Sequence, residues 1–450
     1  MGKMTNQNYQ DKKSMELKYE DLELPIYTNT RIAFANLTVS DLVKAAVLAP
    51  LNILLVGDTG TGKTQLAKDI YNYYFGGNKN EGGEGVFIRV HPEVDIYNEI
   101  FTKLNIERAT RELTENIDAL IFVVDEINRA PPVAQNQFFG LGDGIMEYKG
   151  KAIKLGKEGY HLLIATANLG NGEFLGTFDT DKALYNRLHI AIDFDYEMFK
   201  PTFEDRFLLD TIEANPNIKE AKKRDISDKI IQASKEIANI SKNLSLVEEA
   251  VINYLRFGLN NCRKNRGISK EKGWQQHLQN CQDCKYNTKN NSLCSLIRAP
   301  YERTLNVVKR YAAALYYVAK LKDPNINIDA VDLMFKAFEI AGAYQFLLNP
   351  QILRQDYYEQ NPKMMAEVVE RLKDDFRKNE DFIITSLEEA SKGKKAIRFF
   401  ELNGSYGNYD ELNDEAKKEV KPIDPYTNDR EIGLEWVKYL VNYKINNNKK

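Results

Sequence analysis

The residues Gly57-Asp58-Thr59-Gly60-Thr61-Gly62-Lys63-Thr64 have the types and spacing of a phosphate-binding loop. Their glycines let the backbone curl so that successive N–H groups point at phosphate oxygens. Lys63 reaches the β- and γ-phosphates, and the Thr64 hydroxyl can ligate Mg²⁺. About sixty positions later the apolar run 121–124 ends in Asp125-Glu126. Adjacent carboxylates at a strand end suit metal-assisted phosphoryl transfer, with Asp125 supporting Mg²⁺ through water and Glu126 orienting and polarising an attacking water. Alone, such a pair is usually a solvated turn; the phosphate loop ahead of it changes that weighting.

A third group is formed by the chain's four cysteines, Cys262, Cys281, Cys284 and Cys294, with His277 beside them. In a reducing compartment, a cluster this tight favours a metal over disulfides. Cys281 and Cys284 place two thiolates on one turn, and the outer pair closes an S₄ site for Zn²⁺ or anchors an iron–sulfur cluster. Free buried thiols are the competing reading. His277 reads as a helix-face or outer group, because four cysteines complete the ligand set. From 260 to 298, eight Lys and Arg stand against Glu271 and Asp283. This excess of six positive charges could meet phosphate backbones or be a solvated face.

The loop needs a strand before it and a helix after it. The run 51–56 supplies the first and the amphipathic 65–71 the second, whose N-terminal dipole adds positive potential. Short apolar runs recur at 86–90, 119–124, 162–165 and 189–194, with helical patterns between them. Runs without polar alternation suit strands buried on both faces, so the predicted fold is α/β, a doubly wound parallel sheet. A hairpin is predicted with strands 145–148 and 152–155, and a helix from about 32 onward capped by Ser40-Asp41. Past about 197, helical periods dominate at 226–240, 245–257, 301–320 and 328–346. Further helices are expected near 363–378 and 430–443, with a short apolar run at 397–400.

The expected organisation is a flexible tail over 1–20, a nucleotide-binding α/β domain over 21–196, an all-helical lid over 197–347 carrying the cysteine insert at 260–297, and a mostly helical extension over 348–450. A length of 450 residues fits two to four domains, and 43% hydrophobic residues suffice for their cores. The formal charge of −3 gives no global case for nucleic acid or membrane. The longest apolar run, 45–57, is interrupted by Pro50 and Asn52 and too short to span a bilayer. No signal core opens the sequence, and Asn6 is not the residue a myristoylation signal requires. A cytoplasmic protein is expected. No internal repeat or heptad pattern is found.

The phosphate loop together with Asp125-Glu126-Ile127-Asn128-Arg129-Ala130-Pro131-Pro132 resembles the AAA+ ATPase superfamily, in particular its MoxR and dynein-related branch. The segment Ile164-Ala165-Thr166-Ala167-Asn168 is similar to the family's sensor 1 strand, which implies that Asn168 helps position the lytic water. The segment ending in Leu184-Tyr185-Asn186-Arg187 resembles the stretch that carries the arginine finger, implying that Arg187 acts on the ATP of a neighbouring subunit. A surface arginine on a helix end is the alternative. Arg303 matches the sensor 2 arginine, with Arg298 close enough to compete. The likeness covers about 30–345 without the cysteine insert. It departs from the family at Leu169-Gly170, where a proline is common, and leaves the pore loop open among Tyr97, Phe101 and Tyr148, for which buried or ordinary surface roles compete.

The resemblance implies ATP hydrolysis with Mg²⁺ in a ring, by family habit a hexamer, that remodels a partner protein, often beside a von Willebrand factor A type adaptor. Two alternatives stand: a nucleic-acid motor using the basic cysteine module over 260–298, and a non-hydrolysing nucleotide switch, against which Asp125 with Glu126 argues. Preference for GTP over ATP is not decided by these residues.

Overall fold

The computed structural model describes residues 16–105, 107–108, 110–168, 181–205, 222–259, 292–393, 399–402, 405–409, 412–422, 436–437, 440–441 and 444. The chain divides into two compact units, one formed by Met1–Lys242 and Arg310–Ile328, the other by Asn243–Lys309 and Asp329–Lys450.

The first unit is built on a five-stranded sheet of β1 (Ile53–Val56), β2 (Gly85–Arg89), β3 (Ile121–Asp125), β4 (Leu162–Ala167) and β5 (Ile190–Asp193), in the spatial order β5-β1-β4-β3-β2. Every pairing is parallel. β1, β3 and β4 are buried along their whole length, which is why their sequences run apolar without alternation. The register sets Val56 beside both Ala167 and Asp193, and Arg89 beside Asp125. The carboxyl ends of the strands therefore gather on one edge, where open α/β sheets bind ligands.

Helix α1 (Val39–Leu48) is buried throughout. It starts from Thr38, whose side chain accepts from the Asp41 N–H at 3.2 Å, while Asp41 accepts from the Thr38 N–H at 2.9 Å. This reciprocal box replaces the expected cap at Ser40-Asp41. The residues before it form a small hairpin, Ile32–Phe34 with Leu37–Thr38, turning at Ala35 with φ 49°. Phe34 and Leu37 have helical spacing in sequence, but they are paired strand residues.

Asn52, 2% exposed, knits the entry to the sheet. Its amide donates to the carbonyls of Gly142 and Arg187 at 2.7 and 2.8 Å and accepts from the Leu163 N–H at 3.0 Å. A hairpin predicted from sequence is present as Ile145–Tyr148 with Lys151–Lys154, one residue earlier in its second strand. A second hairpin, Thr102–Asn105 with Thr110–Leu113, was not foreseen, because apart from buried Thr102 its positions are exposed or half-buried and give no apolar run.

Helices of the second unit include Ala330–Gly342, Asn361–Arg377 and Glu380–Ser391. Its aromatic core centres on Tyr254, edge-on to Phe335, Phe376 and Trp436 at 6.2, 5.4 and 6.2 Å, with the hydroxyl donating to Asp375 at 2.8 Å. The run near 397–400 contributes Phe399–Leu402, paired antiparallel with Ser405–Asn408. Most of the helix expected at 430–443 lies outside the described residues. No helix among the described residues is long and apolar enough to cross a membrane.

Candidate functional site

The phosphate loop leaves β1 and enters α2 (Lys63–Phe75) in a conformation that requires its glycines. Gly57, Gly60 and Gly62 have φ of 145°, 80° and 94°, a region that L side chains rarely occupy. A methyl group on Gly57 would also lie 3.0 Å from Phe194 Cβ. Thr61 caps the turn by donating to the Asp58 carbonyl at 2.8 Å, and Asp195 accepts the Asp58 N–H at 3.1 Å. Lys63 is 7% exposed and donates its ammonium to the carbonyls of Gly57 and Asp58 at 2.8 and 2.6 Å. Burial pulls its pKa below the usual lysine value, while Asp195, Asp58, Asp125 and Glu126 pull the other way. This ammonium sits inside the cradle on acceptors that a phosphate oxygen can replace.

Thr64 donates its hydroxyl to Asp125 Oδ1 at 2.9 Å, and Thr166 donates to the same oxygen at 2.8 Å. Asp125 is 6% exposed. A hydroxyl and a buried carboxylate meeting at the mouth of a phosphate loop form a hard oxygen set that suits Mg²⁺. The residues present therefore fit the metal.

Glu126 follows in the left-handed region at φ 60°, ψ 49°, its N–H donating to Thr166 Oγ1 at 2.8 Å. The turn Ile127–Arg129 then brings Asn128 Nδ2 to the Asn168 carbonyl at 2.8 Å. Asn168 thus directly follows β4, half-buried and joined through its backbone to the turn after Glu126. Thr166 was not singled out from sequence. Its signal is a hydroxyl one strand over from the carboxylate, which becomes visible only when β3 and β4 are known neighbours.

The N-terminal segment packs against the same loop. Asp69 on α2 accepts the N–H groups of Ile26 and Tyr27 at 3.1 and 2.6 Å. Burial raises the Asp69 pKa, opposed by those bonds and by Gln65. The Tyr27 ring lies edge-on to Phe194 at 6.0 Å and 3.4 Å from where a Gly62 side chain would begin.

Arg187 is held by groups of its own chain. Nε donates to Asp143 at 2.8 Å, Nη1 donates to the Ala183 carbonyl at 2.8 Å, and the guanidinium lies 4.7 Å from the Phe139 ring centre. Residues 169–180, including Leu169 and Gly170, lie outside the described residues. Arg303 is exposed on the first turn of a helix, Glu302–Lys322, whose start belongs to the second unit. Arg298 stacks on Tyr301 at 5.0 Å.

Of the aromatic pore candidates, Phe101 is 3% exposed and packs on Phe122 at 5.7 Å, so it belongs to the core. Tyr97 and Tyr148 are half-buried with ring centres 6.2 Å apart, and Tyr148 donates to the Arg111 carbonyl, which links the two hairpins. Cys262, Cys281, Cys284 and His277 lie outside the described residues. Cys294 is half-buried with Sγ 3.4 Å from Ser292 Oγ. Among the described residues no group of three or more His, Cys, Asp or Glu could hold a metal ion, so a zinc or iron–sulfur site gains no structural support.

Residues 52–188 match the family described as AAA domain, dynein-related subfamily. No curated protein matches the chain. One similar solved structure is a protein from Cytophaga hutchinsonii provisionally described as an ATPase, with a TM-score of 0.49 and 16% identity over 73% of this chain and 87% of that one. Residues 52–188, which carry the phosphate loop, Asp125 and Glu126, are thus similar to an AAA domain of the dynein-related subfamily.

Proposed function

We propose that this protein hydrolyses ATP in a MoxR-like oligomeric ring and uses the cycle to remodel a partner protein. The observation that carries the reading is the meeting of Thr64, Asp125 and Thr166 on one carboxylate oxygen beside the buried ammonium of Lys63. Lys63 binds the β- and γ-phosphates. Thr64 and Asp125 hold Mg²⁺, which offsets charge on the phosphate oxygens. Glu126 accepts a proton from the attacking water as its oxygen bonds to the γ-phosphorus and the bond to the bridging oxygen breaks. Asn168 orients that water, Arg187 contributes its charge from the adjacent subunit, and Arg303 reports from the helical region.

The ring is expected to be hexameric, cytoplasmic, and served by a von Willebrand factor A type adaptor. The four cysteines are proposed to hold Zn²⁺ or an iron–sulfur cluster that staples the 260–297 insert. Metal content of the purified protein tests this, since either one equivalent of zinc or several irons with matching sulfide, lost on Cys281→Ser, is required. The central test is Glu126→Gln loaded with ATP, which should retain nucleotide and stall on its substrate. Recovery of a defined protein partner supports remodelling. Recovery of salt-released nucleic acid overturns it in favour of a motor acting through 260–298.

A further inference from the structure

Away from the phosphate loop, the first unit holds a cavity of about 420 Å³ at the edge of its sheet, between α2 and the edge strand β2. Lys68, Tyr71 and Asn72 line it from one face of α2, where residues three and four apart stand together. Phe87 and Arg89, two apart on β2, line it from one face of that strand. Among the described residues, no member of the phosphate loop lines it, nor does Asp125 or Glu126.

Two of these side chains are buried and polar without a protein partner. Tyr71 is 7% exposed and Asn72 8%, yet among the described residues neither the hydroxyl nor the side-chain amide makes a hydrogen bond, and neither group is sealed from solvent. Buried polar groups are almost always paired, so open ones on a cavity wall point to something that fills the cavity. Burial first, and then the charge of Glu81, push the Tyr71 pKa up, which keeps its hydroxyl protonated as a donor.

The charges around the cavity are unbalanced. Lys68 extends its ammonium over the Phe87 ring, 5.5 Å from the centre, and has no ion-pair partner among the described residues. Arg89 is exposed and likewise has none. Lys223 pairs with Glu81 at 2.5 Å, so three cations stand against one carboxylate and two positive charges are left over.

We propose that this cavity is a second ligand site, which takes a small phosphate monoester. Such an ester carries close to two negative charges at neutral pH, which the two unpaired cations match, whereas a carboxylate would leave one of them uncompensated. The Arg89 guanidinium donates to two phosphate oxygens, Lys68 supplies a point charge, and Tyr71 and Asn72 donate to the remaining acceptors. The volume falls within the range of small-molecule clefts, roughly 300–1,000 Å³, and leaves room for the organic part of the ester. Lys68 stands on the helix that opens with Lys63, and Arg89 is in register with Asp125, so an occupied site ties together two elements that reach the phosphate loop and its carboxylate.

Inorganic phosphate, the group common to every such ester, is the probe. Full-length protein is first saturated with a non-hydrolysable ATP analogue and Mg²⁺, which fills the phosphate loop. Phosphate is then titrated and followed by phosphorus NMR line-broadening. Saturable binding is expected, with Kd raised about 10-fold or more by Arg89→Gln and by Lys68→Gln, the scale of one lost hydrogen bond to a charged group. Tyr71→Phe, which removes only the hydroxyl, should raise it several-fold. Analogue affinity should match wild type in all three variants, so failure of this site is distinct from failure of the nucleotide site. Absence of saturable phosphate binding overturns the proposal, and so does an unchanged Kd in any of the three variants, because the phosphate then sits elsewhere. Displacement by equimolar acetate overturns it as well, by revealing a carboxylate site. If Arg89→Gln does not fold, Lys68→Gln and Tyr71→Phe decide by the same criterion.

Discussion

Thr64 and Asp125, 61 positions apart, are joined by a 2.9 Å hydrogen bond from the threonine hydroxyl to the carboxylate. Parallel pairing of β3 with β4 and of β4 with β1 produces the contact, because it brings the ends of β1 and β3 to one edge. Thr64→Ala and Asp125→Asn should each reduce ATP turnover by roughly 100-fold or more. Both should also raise the Mg²⁺ concentration needed for half-maximal rate. Full activity of either variant at low Mg²⁺ would remove this pair from the metal site.

Arg187 is predicted to act across subunits. Mixing Lys63→Ala with Arg187→Ala should restore turnover that neither variant has alone, since mixed rings contain intact composite sites. Gly142→Ala provides an independent check. Its new methyl would lie 2.7 Å from Arg187 Cβ and 3.1 Å from Cδ, displacing the arginine from Asp143 without removing it. The turnover of this variant should fall toward that of Arg187→Ala while ATP affinity holds, as measured by titration with labelled nucleotide.

A buried charge cluster makes the first unit acid-sensitive. Asp41 is fully buried and accepts from Lys44 and Lys322 at 3.0 Å each and from the Tyr19 hydroxyl at 2.8 Å. Burial by itself would raise its pKa, but Lys44, the Thr38 N–H, Lys322 and Tyr19 together hold it down at about 2, below the ordinary aspartate value of 3.8. A depressed carboxylate contributes stability that is present above its unfolded pKa and is lost as pH falls through the folded one. The window is therefore about pH 4 to 2, and the size is about 2 kcal/mol. Asp41→Asn should flatten that window. It should also destabilise by roughly 3 kcal/mol at neutral pH, because two lysines lose their counter-charge. Denaturant melts at stepped pH measure both effects.

Gly85 opens β2 where the chain passes the Tyr71 ring. A side chain there would begin 2.6 Å from Tyr71 Cε2 and 2.9 Å from Ile121 Cγ2. Gly85→Ala should cost about 1–3 kcal/mol by overpacking, read as a lower denaturation midpoint. Pairing it with Tyr71→Leu should recover part of the loss. An unaffected midpoint would mean that the helix and sheet are less tightly apposed than these distances require.

The five strands of the parallel sheet, the phosphate loop and the carboxylate pair Asp125-Glu126 were legible in the sequence. Buried parallel strands demand unbroken apolar runs, a phosphate cradle demands glycines, and Asp125-Glu126 must end a strand to reach the same edge. Local chemistry sufficed for each. Tertiary structure alone decided what depends on the strand order β5-β1-β4-β3-β2. That order makes Thr166 a partner of Asp125, and it puts Phe101 under Phe122 instead of in solvent. The ion pair of Arg129 with Glu126 needed something else, the left-handed backbone of Glu126 and the tight turn that follows it. Motif spacing names residues without giving the direction in which a side chain leaves a turn. Those directions are fixed by backbone dihedrals and neighbouring strands, and they exist only once the chain has folded.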